Sequence, residues 1–570
     1  MRLALAQINV VVGDLHGNRE RILAALADAR TEDAELVLFP ELAVTGYPPE
    51  DLLLRPAFVR AAADSLEEIA RETTGITALV GTPWFDRDLF NACAVCSGGE
   101  VKAIYRKRFL PNYGVFDEDR YFASGRDLLL LKHGEILVGP TICEDVWQPG
   151  PPATDLALAG AELLVNISAS PYFVGKAEDR EEMLVTRARD NSAYLAFCNL
   201  VGGQDELLFD GHSVVLDDEG EVLARAPGFE EALLVVDLDP AEAIGRRLRD
   251  VRRRALARER EDELVPVVIE LGASVGSTQS PRDELGGEIV PFEPELEQMR
   301  KALVLALRDY VGKNGFGDVV LGLSGGIDSA LVAALAVDAL GPERVHCVSM
   351  PSRFSSEGTR GDAQRLAQSL GCDFRELPIE AIVSQFHAAG VGTSGLAAEN
   401  LQARVRGMTL MSLSNEHGWL VLATGNKSEL SVGYSTLYGD LAGGYALIKD
   451  VYKTDVFRLV RYLNERAGRE LVPASIIERA PSAELRADQL DADSLPPYPE
   501  LDQVLEAYVE LDRSRDELVA EGFDAETVDR ALALIDRAEY KRRQAPPGVK
   551  LRPKAFGRDR RTPITNRWQG

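Results

Sequence analysis

A glycine-rich segment in the second half of the chain has the features of a phosphate-binding loop. The apolar run at 318–324 predicts a buried strand, which leads through a Ser-Gly-Gly turn into an apolar helix. The glycines let the backbone approach an anion closely, and the helix N-terminus adds free N–H groups and a positive dipole. We expect Ser324 and Ser329 to donate their hydroxyls to phosphates, and Asp328 to reach those phosphates through Mg²⁺. The alternative is an ordinary glycine turn before a capped helix.

Three strand ends in the first half of the chain carry a thiol, a carboxylate and an amine. Cys143 closes an apolar strand, Glu41 ends another, and Lys107 follows a third. Groups at the carboxyl ends of strands can converge at one face of a layered α/β domain. An attacking thiol needs a base for its proton and a cation near the oxyanion that forms, and Glu41 and Lys107 could supply them. The alternative for Cys143 is a buried structural cysteine.

Composition excludes several classes of protein. The chain has 570 residues, which is too long for one ordinary domain, and 45% of them are hydrophobic, which argues against general disorder. Its net charge of −28 would repel phosphate backbones and anionic lipids, so we expect no nucleic-acid and no membrane partner. Only 12 residues are Lys, so the position of each lysine helps to locate candidate sites of chemistry.

Cysteine and histidine usage favours a cytoplasmic enzyme without a structural metal. Six Cys in a chain of this length form no disulfide framework, and Cys93 and Cys96 are expected to be core or edge residues of a strand. The histidines show no zinc spacing, so we expect no zinc. We also expect no flavin cofactor. The N-terminal segment lacks the pattern of a signal peptide, and there is no apolar run of about 18 residues.

The periodicity divides the chain into two α/β regions. Residues 1–240 alternate apolar strands with amphipathic helices, and residues 241–293 form a charged helical arm and a Gly/Pro-rich linker. Residues 294–570 repeat βα units, which predicts a doubly wound parallel sheet followed by a helical tail. In that tail we expect two long helices, near 500–517 and 524–539.

The loop resembles that of the ATP pyrophosphatase family, whose members cleave ATP to AMP and pyrophosphate while adenylating a carbonyl oxygen. Its sequence SGGIDS matches the SGGxDS pattern of that family. The resemblance implies that ATP contacts Gly322, Leu323, Ser324, Gly325, Gly326, Ile327, Asp328 and Ser329.

Later segments are similar to NAD⁺ synthetases within that family. The segments at 399–406, 422–444, 449–457, 479–498 and 539–549 carry the likeness. It implies that Thr424, Lys453 and Ser482 contact ATP and that Asp328 and Glu429 hold Mg²⁺. It also implies a deamido-NAD site formed by Asn400, Arg404, Glu429, Asp440 and Lys541.

The order Glu41, Lys107, Cys143 resembles the nitrilase, or carbon–nitrogen hydrolase, superfamily, which implies an αββα sandwich over the first 240 residues. The resemblance makes Cys143 the nucleophile, Glu41 its base and Lys107 the oxyanion partner, with Glu118 either an auxiliary acid or base or a turn residue. Two segments of this half are similar in sequence to the glutaminase half of glutamine-dependent NAD⁺ synthetases, namely LPNYGVFDE and SASPYFVGK. It implies that glutamine contacts Tyr113, Ser170 and Lys176.

Each half thus implies the other, because one releases ammonia and the other consumes it. The expected substrates are ATP, deamido-NAD and L-glutamine, and the expected assembly is a symmetric homo-oligomer. One rival is an amidotransferase of the same loop family with another acceptor, such as XMP or aspartate. A second rival is a nucleotide-binding protein that has lost its chemistry, and a third is a synthetase that uses free ammonia with a dormant N-terminal half.

Overall fold

The chain folds into two compact α/β units. A computed structural model describes residues 1–271, 285–487 and 489–568. The first unit comprises Met1–Gln204 and Leu208–Glu293, and the second comprises Asp205–Leu207 and Pro294–Gly570. Most of the Gly/Ser/Pro-rich stretch of the expected linker, 272–284, lies outside the described residues.

The first unit is built from strands with helices between them. Its strands are β1 (Arg2–Gln7), β2 (Leu36–Leu38), β3 (Thr77–Asp86), β4 (Asp88–Ser97), β5 (Glu100–Arg106), β6 (Leu129–His133), β7 (Ile136–Ile142), β8 (Leu163–Ser168), β9 (Tyr194–Asn199), β10 (Val201–Gln204), β11 (Leu207–Asp210), β12 (Val214–Leu216), β13 (Val222–Arg225), β14 (Ala232–Asp237) and β15 (Val267–Glu270). Its helices are α1 (Leu15–Thr31), α2 (Pro56–Arg71), α3 (Glu144–Trp147), α4 (Ala153–Leu158), α5 (Lys176–Asn191), α6 (Glu242–Arg249) and α7 (Val251–Glu259).

Two sheets of this unit pack face to face, with helices on the outer faces. One sheet has the order β14-β1-β2-β3-β4-β5 and the other has the order β13-β12-β9-β8-β7-β6-β15. Helices α1 and α2 pack beside the first sheet, and α4 and α5 pack on the second. The expected αββα sandwich is confirmed. Side chains of both sheets share one buried apolar cluster, which includes Leu3, Leu38, Leu79, Val138, Leu163 and Val165.

Strand direction explains why three chemically active residues meet. Strands β2 and β3 are parallel, and β5 is antiparallel to β4, which is antiparallel to β3, so β2 and β5 end at the same edge of their sheet. Glu41 follows β2 and Lys107 follows β5 directly. Cys143 follows β7, in the facing sheet, where the chain turns into α3.

Two segments of the first unit differ in detail from their sequence patterns. The apolar run at 136–147 is a strand only as far as Ile142, because Cys143 has a φ of +41° that turns the chain into a short helix. The charged arm forms α6 and α7, and β15 then extends the second sheet beside β6. Cys93 and Cys96 are buried in β4, as expected.

The second unit contains a parallel sheet surrounded by helices. Its strands are β16 (Val319–Gly322), β17 (Val345–Ser349), β18 (Asp373–Glu376), β19 (Leu420–Ala423) and β20 (Tyr445–Ala446). Its helices are α8 (Glu295–Lys313), α9 (Ile327–Leu340), α10 (Glu357–Leu370), α11 (Glu380–Ala388), α12 (Gly395–His417), α13 (Lys427–Val432), α14 (Lys453–Ala467), α15 (Ala474–Glu478), α16 (Tyr498–Leu505), α17 (Arg515–Ala520), α18 (Ala525–Arg537) and α19 (Glu539–Arg542).

The sheet of this unit confirms the expected doubly wound topology. Its order is β18-β17-β16-β19-β20, and each neighbouring pair is parallel. The chain adds β17 and β18 on one side of β16 and then β19 and β20 on the other. This reversal leaves a crevice at the carboxyl ends of β16 and β19, where open α/β sheets bind ligands.

The expectation of one long helix over 500–517 is wrong. The α-helix α16 ends at Leu505, and a π-helical turn follows it over Glu506–Glu510. Asp512 then adopts a left-handed φ of +54°. Ser514 then caps α17, accepting the N–H of Glu517 while the Glu517 carboxylate accepts the N–H of Ser514. This capping box satisfies orphan N–H groups and starts a new helix.

Across the described ranges, no helix is both long and apolar enough to cross a membrane.

Gly81 of β3 is a position where the sandwich admits no side chain. A Cβ there would collide with the carbonyl oxygen of Pro40 and the N–H of Leu42. We expect Gly81→Ala to lower the free energy of unfolding by about 1–3 kcal/mol, because the segment beyond β2 would have to move. Thermal unfolding of the purified chain measures the change. Gly245→Ala in α6 is the matched control, because its Cβ would meet only the end of Arg249, at 3.9 Å; an equal loss in both variants would contradict the prediction.

Candidate functional site

A buried ammonium between two carboxylates forms the centre of the first site. The Lys107 side chain is 0% exposed, and its Nζ lies 2.6 Å from Glu41 Oε1. The same Nζ lies 2.9 Å from each carboxylate oxygen of Glu118. Burial works to lower the pKa of Lys107, but the charges of Glu118 and Glu41 outweigh it and raise that pKa, so the ammonium stays charged.

Cys143 lies at the same edge with its thiol protected from water. It is 3% exposed, and its backbone N–H donates to Ile167 O at 2.9 Å. Burial, and after it the charge of Glu41, raise the pKa of the thiol well above its usual range, against the lowering effect of Lys107. At neutral pH the sulfur therefore carries its proton, which a base must accept when the sulfur attacks.

Further hydrogen bonds fix both carboxylates. Asn91 Nδ2 donates to Glu41 Oε1 at 2.7 Å, and the N–H of Ala169 donates to Glu41 Oε2 at 3.0 Å. The Tyr47 hydroxyl donates to Glu118 Oε1 at 2.8 Å. Sequence reasoning missed Asn91 and Tyr47. A polar Asn inside the apolar strand β4 was the available signal, whereas nothing local distinguishes Tyr47.

Two of the residues expected to bind glutamine, Tyr113 and Lys176, interact electrostatically with Cys143. Tyr113 is 58% exposed and donates to Glu144 Oε2 at 2.9 Å. Burial of its hydroxyl, and after it Glu144, raise the pKa of Tyr113. Lys176 begins α5, and its Nζ lies 3.7 Å from the ring centroid of Trp147. Burial lowers the pKa of Lys176 to about 8.

Ser170, also expected at this pocket, follows β8 at the same edge. Its side chain is buried, and its backbone N–H donates to Asn199 Oδ1 at 2.9 Å.

The glycine-rich loop of the second unit has the shape of an anion cradle. Ser324 Oγ and Ser329 Oγ lie 3.1 Å apart, and the N–H of Gly326 donates to Ser324 Oγ at 3.2 Å. Gly325 has a φ of +83°, and a Cβ there would collide with the Thr359 carbonyl. Only glycine meets both constraints, so the loop geometry depends on this position.

The loop is continuous with regular structure on both sides. Gly322 ends β16, and the N–H of Leu323 donates to Val348 O at 2.9 Å. Ile327 begins α9, whose first turn carries Asp328 and Ser329. Backbone N–H groups at this helix start are therefore available to an anion.

Lys453 links Asp328 to Glu429 beside the loop. Its ammonium forms ion pairs with Asp328 and, at 3.2 Å, with Glu429 Oε1. Asn426 Nδ2 donates to Asp328 Oδ1 at 2.8 Å, while its Oδ1 accepts the N–H of Glu429 at 2.9 Å. Burial raises the pKa of Glu429, although Lys453 opposes this shift. Sequence reasoning did not assign Asn426 a role, although an Asn before a short helix is typical of an N-cap.

The two other residues expected at ATP lie in loops. Thr424 directly follows β19, at the carboxyl edge that faces the crevice. Ser482 is held within its own loop, because its Oγ donates to Gln489 O at 2.5 Å and accepts the N–H of Glu484 at 3.1 Å.

Four of the five residues expected at deamido-NAD bond to or within the loop 433–440, whereas the fifth, Glu429, lies in α13. Asn400 Oδ1 accepts from Thr436 Oγ1 at 2.8 Å, and Arg404 Nε donates to Leu437 O at 3.1 Å. Asp440 Oδ1 accepts the N–H of Thr436 at 2.7 Å. Lys541 Nζ donates to the carbonyl groups of the same loop, those of residues 433 and 435, at 2.7 Å each.

A cleft extends from this loop to Glu429, one of the two carboxylates beside the glycine-rich loop. Its lining includes Asn426, Glu429, Ser435, Asp440 and Lys449. Polar groups from both expected substrate sites therefore face one space.

The acidic pair is consistent with a magnesium site completed by substrate. Within the part of the chain that the structure describes, no group of three or more His, Cys, Asp or Glu residues is arranged around a metal position. Mg²⁺ usually takes one or two protein carboxylates and completes its coordination with water and substrate phosphates. Asp328 and Glu429, beside the phosphate loop, supply that number of carboxylates.

The fold and the family matches together define a ligase of the amidotransferase type, with a carbon–nitrogen hydrolase unit followed by a NAD synthase unit. Residues 2–247 match the carbon-nitrogen hydrolase family, and residues 299–545 match the NAD synthase family.

Full-length relatives narrow the class further. The chain is 46% identical to the glutamine-dependent NAD(+) synthetase of Thermotoga maritima, over 100% of this chain and 99% of that protein. It is also 46% identical to the protein of that name from Aquifex aeolicus, over 100% of both. The chain therefore belongs to the glutamine-dependent NAD⁺ synthetase family, which confirms the resemblance read from its motifs.

Solved structures agree with this assignment. The glutamine-dependent NAD⁺ synthetase of Acinetobacter baumannii, solved with ADP, is 38% identical with a TM-score of 0.74, covering 99% of this chain and 98% of that one. That of Cytophaga hutchinsonii, at 22% identity and a TM-score of 0.80, covers the same shares and supports the fold.

Proposed function

We propose that the enzyme amidates deamido-NAD to NAD⁺ through an adenylated intermediate, with ammonia that its own Cys-Glu-Lys site releases from L-glutamine. ATP supplies the adenylyl group and leaves as AMP and pyrophosphate. The observation that carries this proposal is the Lys107 ammonium between Glu41 and Glu118, at the edge where Cys143 lies. The family membership supplies the ATP-dependent amidation of the dinucleotide.

In the glutaminase reaction, Cys143 attacks the side-chain amide carbon of glutamine. Glu41 accepts the thiol proton, and the Lys107 ammonium stabilises the oxyanion of the tetrahedral intermediate. The proton then passes to the departing nitrogen, ammonia leaves, and water hydrolyses the glutamyl thioester. Glu118 also holds the ammonium, and its own pKa is raised by burial, which suits an auxiliary acid.

Three residues would bind the amino-acid portion of glutamine. The Lys176 ammonium would face the α-carboxylate, because it lies half-buried over the aromatic rings of Trp147 and Phe173, and a carboxylate would compensate its charge there. Tyr113 and Ser170 would add polar groups: Tyr113 bonds to Glu144, next to Cys143, and Ser170 follows β8 at the same edge. A pocket with one cation and few polar groups orients a small zwitterion.

In the synthetase reaction, the loop 324–329 and Lys453 would bind the ATP phosphates. Asp328 and Glu429 would hold Mg²⁺, which when bound neutralises phosphate charge as adenylation proceeds. Thr424 and Ser482 would contact the nucleotide. Thr424 supports this role by its position at the carboxyl edge of the sheet, and Ser482 rests on the resemblance.

The loop 433–440 would hold deamido-NAD. Four of the expected residues form hydrogen bonds to or within that loop, so a dinucleotide bound at the loop would lie near all of them. They are Asn400, Arg404, Asp440 and Lys541. The nicotinate carboxylate attacks the α-phosphorus of ATP, and ammonia then displaces AMP from the acyl adenylate. Glu429 lines the same cleft, so it would serve the deamido-NAD site as well as the metal site.

Removing the thiol should separate the two activities. We expect Cys143→Ala to abolish glutamine-driven NAD⁺ formation and to leave the ammonium-driven rate within about twofold, because only the first needs the thioester. NAD⁺ is measured with each nitrogen donor at saturating ATP and deamido-NAD. Cys93→Ala is the control, because that buried thiol lies inside β4.

If Cys143→Ala retained glutamine-driven synthesis, the assigned nucleophile would be wrong.

The same assay also tests internal transfer of ammonia from the glutaminase site to the synthetase site. We propose this transfer because free ammonia is mostly protonated and non-nucleophilic at neutral pH. An added ammonia-consuming enzyme should leave most glutamine-driven NAD⁺ formation intact in the unsubstituted enzyme, and interception of most of the ammonia would overturn that proposal.

Glutamine affinity should weaken at alkaline pH. Burial lowers the pKa of Lys176 to about 8, so the ammonium is present below that pH and is lost above it. We expect KM for glutamine to rise about tenfold per pH unit above that value as the carboxylate loses its partner. Steady-state glutaminase assays between pH 7 and pH 9.5 measure it. In Lys176→Arg, whose guanidinium stays charged, KM should not rise; a flat profile in the unsubstituted enzyme would refute the role.

Loss of the bridging ammonium should impair the ATP-dependent step. We expect Lys453→Met to slow NAD⁺ formation about 100-fold with either nitrogen donor, because phosphate charge loses a preorganised cation and Asp328 then faces Glu429 unscreened. Pyrophosphate release at saturating ammonium measures the step. Lys313→Met is the control, because its ammonium pairs with Asp309 on α8. An ATP-dependent rate within threefold of the original would remove Lys453 from the site.

We expect the enzyme to be cytoplasmic and to form a symmetric homo-oligomer. The six cysteines carry free thiols, which a reducing compartment maintains. The homo-oligomer is implied by the resemblance of the motifs, and sedimentation of the purified enzyme would overturn it by finding a monomer.

A further inference from the structure

One buried carboxylate beside Cys143 takes no part in the proposed chemistry. Asp145 lies two residues after the nucleophile, in the short helix α3, and is 0% exposed. Burying a carboxylate is costly unless its oxygens receive hydrogen bonds, so its partners show what it does.

Asp145 accepts four hydrogen bonds, two on each oxygen. Its Oδ1 accepts the backbone N–H groups of Arg108 and Phe109, each at 3.0 Å. Its Oδ2 accepts the N–H of Ile142 at 3.0 Å and the hydroxyl of Tyr105 at 2.8 Å.

These partners flank the two reacting groups. Ile142 ends β7 and directly precedes Cys143, whereas Tyr105 and Arg108 lie on either side of Lys107 at the end of β5. Strands β5 and β7 belong to different sheets of the sandwich. One carboxylate thus joins the strand end that carries the nucleophile to the strand end that carries the ammonium.

We propose that Asp145 is a positioning residue that sets the distance between the Cys143 sulfur and the Lys107 ammonium. The inference rests on the proposed glutaminase function of Cys143 and adds to it a residue that touches neither substrate nor reacting atom. Such a tie is needed because Cys143 has a left-handed φ of +41°, a backbone conformation that surrounding contacts must maintain.

The chemistry of the partners makes the carboxylate hard to replace. All four partners donate, so the side chain must accept at both oxygens. Burial raises the pKa of Asp145 to about 6, while the N–H donors and Tyr105 favour the ionised form, which leaves it ionised at the pH of a neutral assay. An amide has the same shape, but its NH₂ group would face two donors.

The test compares Asp145→Asn with the unsubstituted full-length enzyme. We expect kcat for glutamine hydrolysis to fall about 100-fold, the order of loss that follows a displacement near 1 Å at a reacting pair. KM for glutamine should stay within about threefold, because the expected binding residues do not contact Asp145. Ammonium-driven NAD⁺ formation should not change. A loss of correctly folded enzyme would also lower the apparent kcat at constant KM, so the number of intact pockets must be measured separately.

A second measurement counts intact glutaminase pockets. A diazoketone analogue of glutamine should label Cys143 to full stoichiometry in Asp145→Asn, but more slowly than in the unsubstituted enzyme. An unchanged kcat, or a raised KM with kcat preserved, would overturn the inference.

A milder pair of variants decides the case in which Asp145→Asn labels incompletely. Tyr105→Phe removes one of the four donors and should lower kcat about fivefold with full labelling, a loss expected for one hydrogen bond. Tyr194→Phe is the matched control, because its hydroxyl donates to Glu242 Oε2 at 3.1 Å in the same unit. Equal kcat values for Tyr105→Phe and Tyr194→Phe would overturn the inference.

Failure of this inference is distinguishable from failure of the proposed function. If Cys143→Ala abolishes glutamine hydrolysis while Asp145→Asn leaves kcat unchanged, only the positioning role is wrong. If Cys143→Ala keeps glutamine hydrolysis, the glutaminase assignment itself is wrong.

Discussion

At the candidate site of each unit a lysine ammonium is buried between two carboxylates, and the surrounding structure makes that burial possible. A charge removed from water is stable only when opposite charges and hydrogen bonds replace the water. Lys107 meets this requirement through Glu41 and Glu118, and Lys453 meets it through a similar pair. The strand edges, the loop and the neighbouring amides are arranged around these ion pairs.

The arithmetic of charge gives both clusters a common property. If both carboxylates were ionised, one ammonium would leave each cluster with a net negative charge, so each cluster favours one more positive charge; burial accordingly raises the pKa of Glu118 and of Glu429. In the proposed glutaminase reaction of the first unit, that charge would be the proton that leaves Cys143 for Glu41. In the second unit, a divalent cation held by Asp328 and Glu429 would supply that positive charge, and it would also bind the phosphates of the nucleotide. The same electrostatic device thus suits proton transfer in one site and phosphate binding in the other.

The acidic composition of the chain makes its lysines informative. With a net charge of −28, anionic substrates are repelled unless local cations outweigh the general field. Of the 12 lysines, all of which lie in the described ranges, five are buried. The structure places them beside carboxylates or carbonyl groups rather than at the surface, and they are Lys107, Lys427, Lys449, Lys453 and Lys550.

The sequence by itself determined the features that depend on neighbouring residues. Apolar runs and helix periodicity set the order of elements, and the glycine spacing at 324–329 identified the phosphate loop, because backbone conformation there is a local property. Local patterns failed to predict the helix boundaries within 500–517, because a left-handed Asp512 and a capping box divide the expected helix.

Only the tertiary structure decided which side chains touch. Lys107 meets Glu41 across 66 residues of sequence, and Lys453 meets Asp328 across 125. Asn91 joins the first cluster from the middle of a strand. These contacts follow from sheet order and from the edge at which each strand ends, which no local pattern encodes. Burial then fixed the protonation of the groups, because removing water shifts a pKa by an amount that depends on every neighbour in three dimensions.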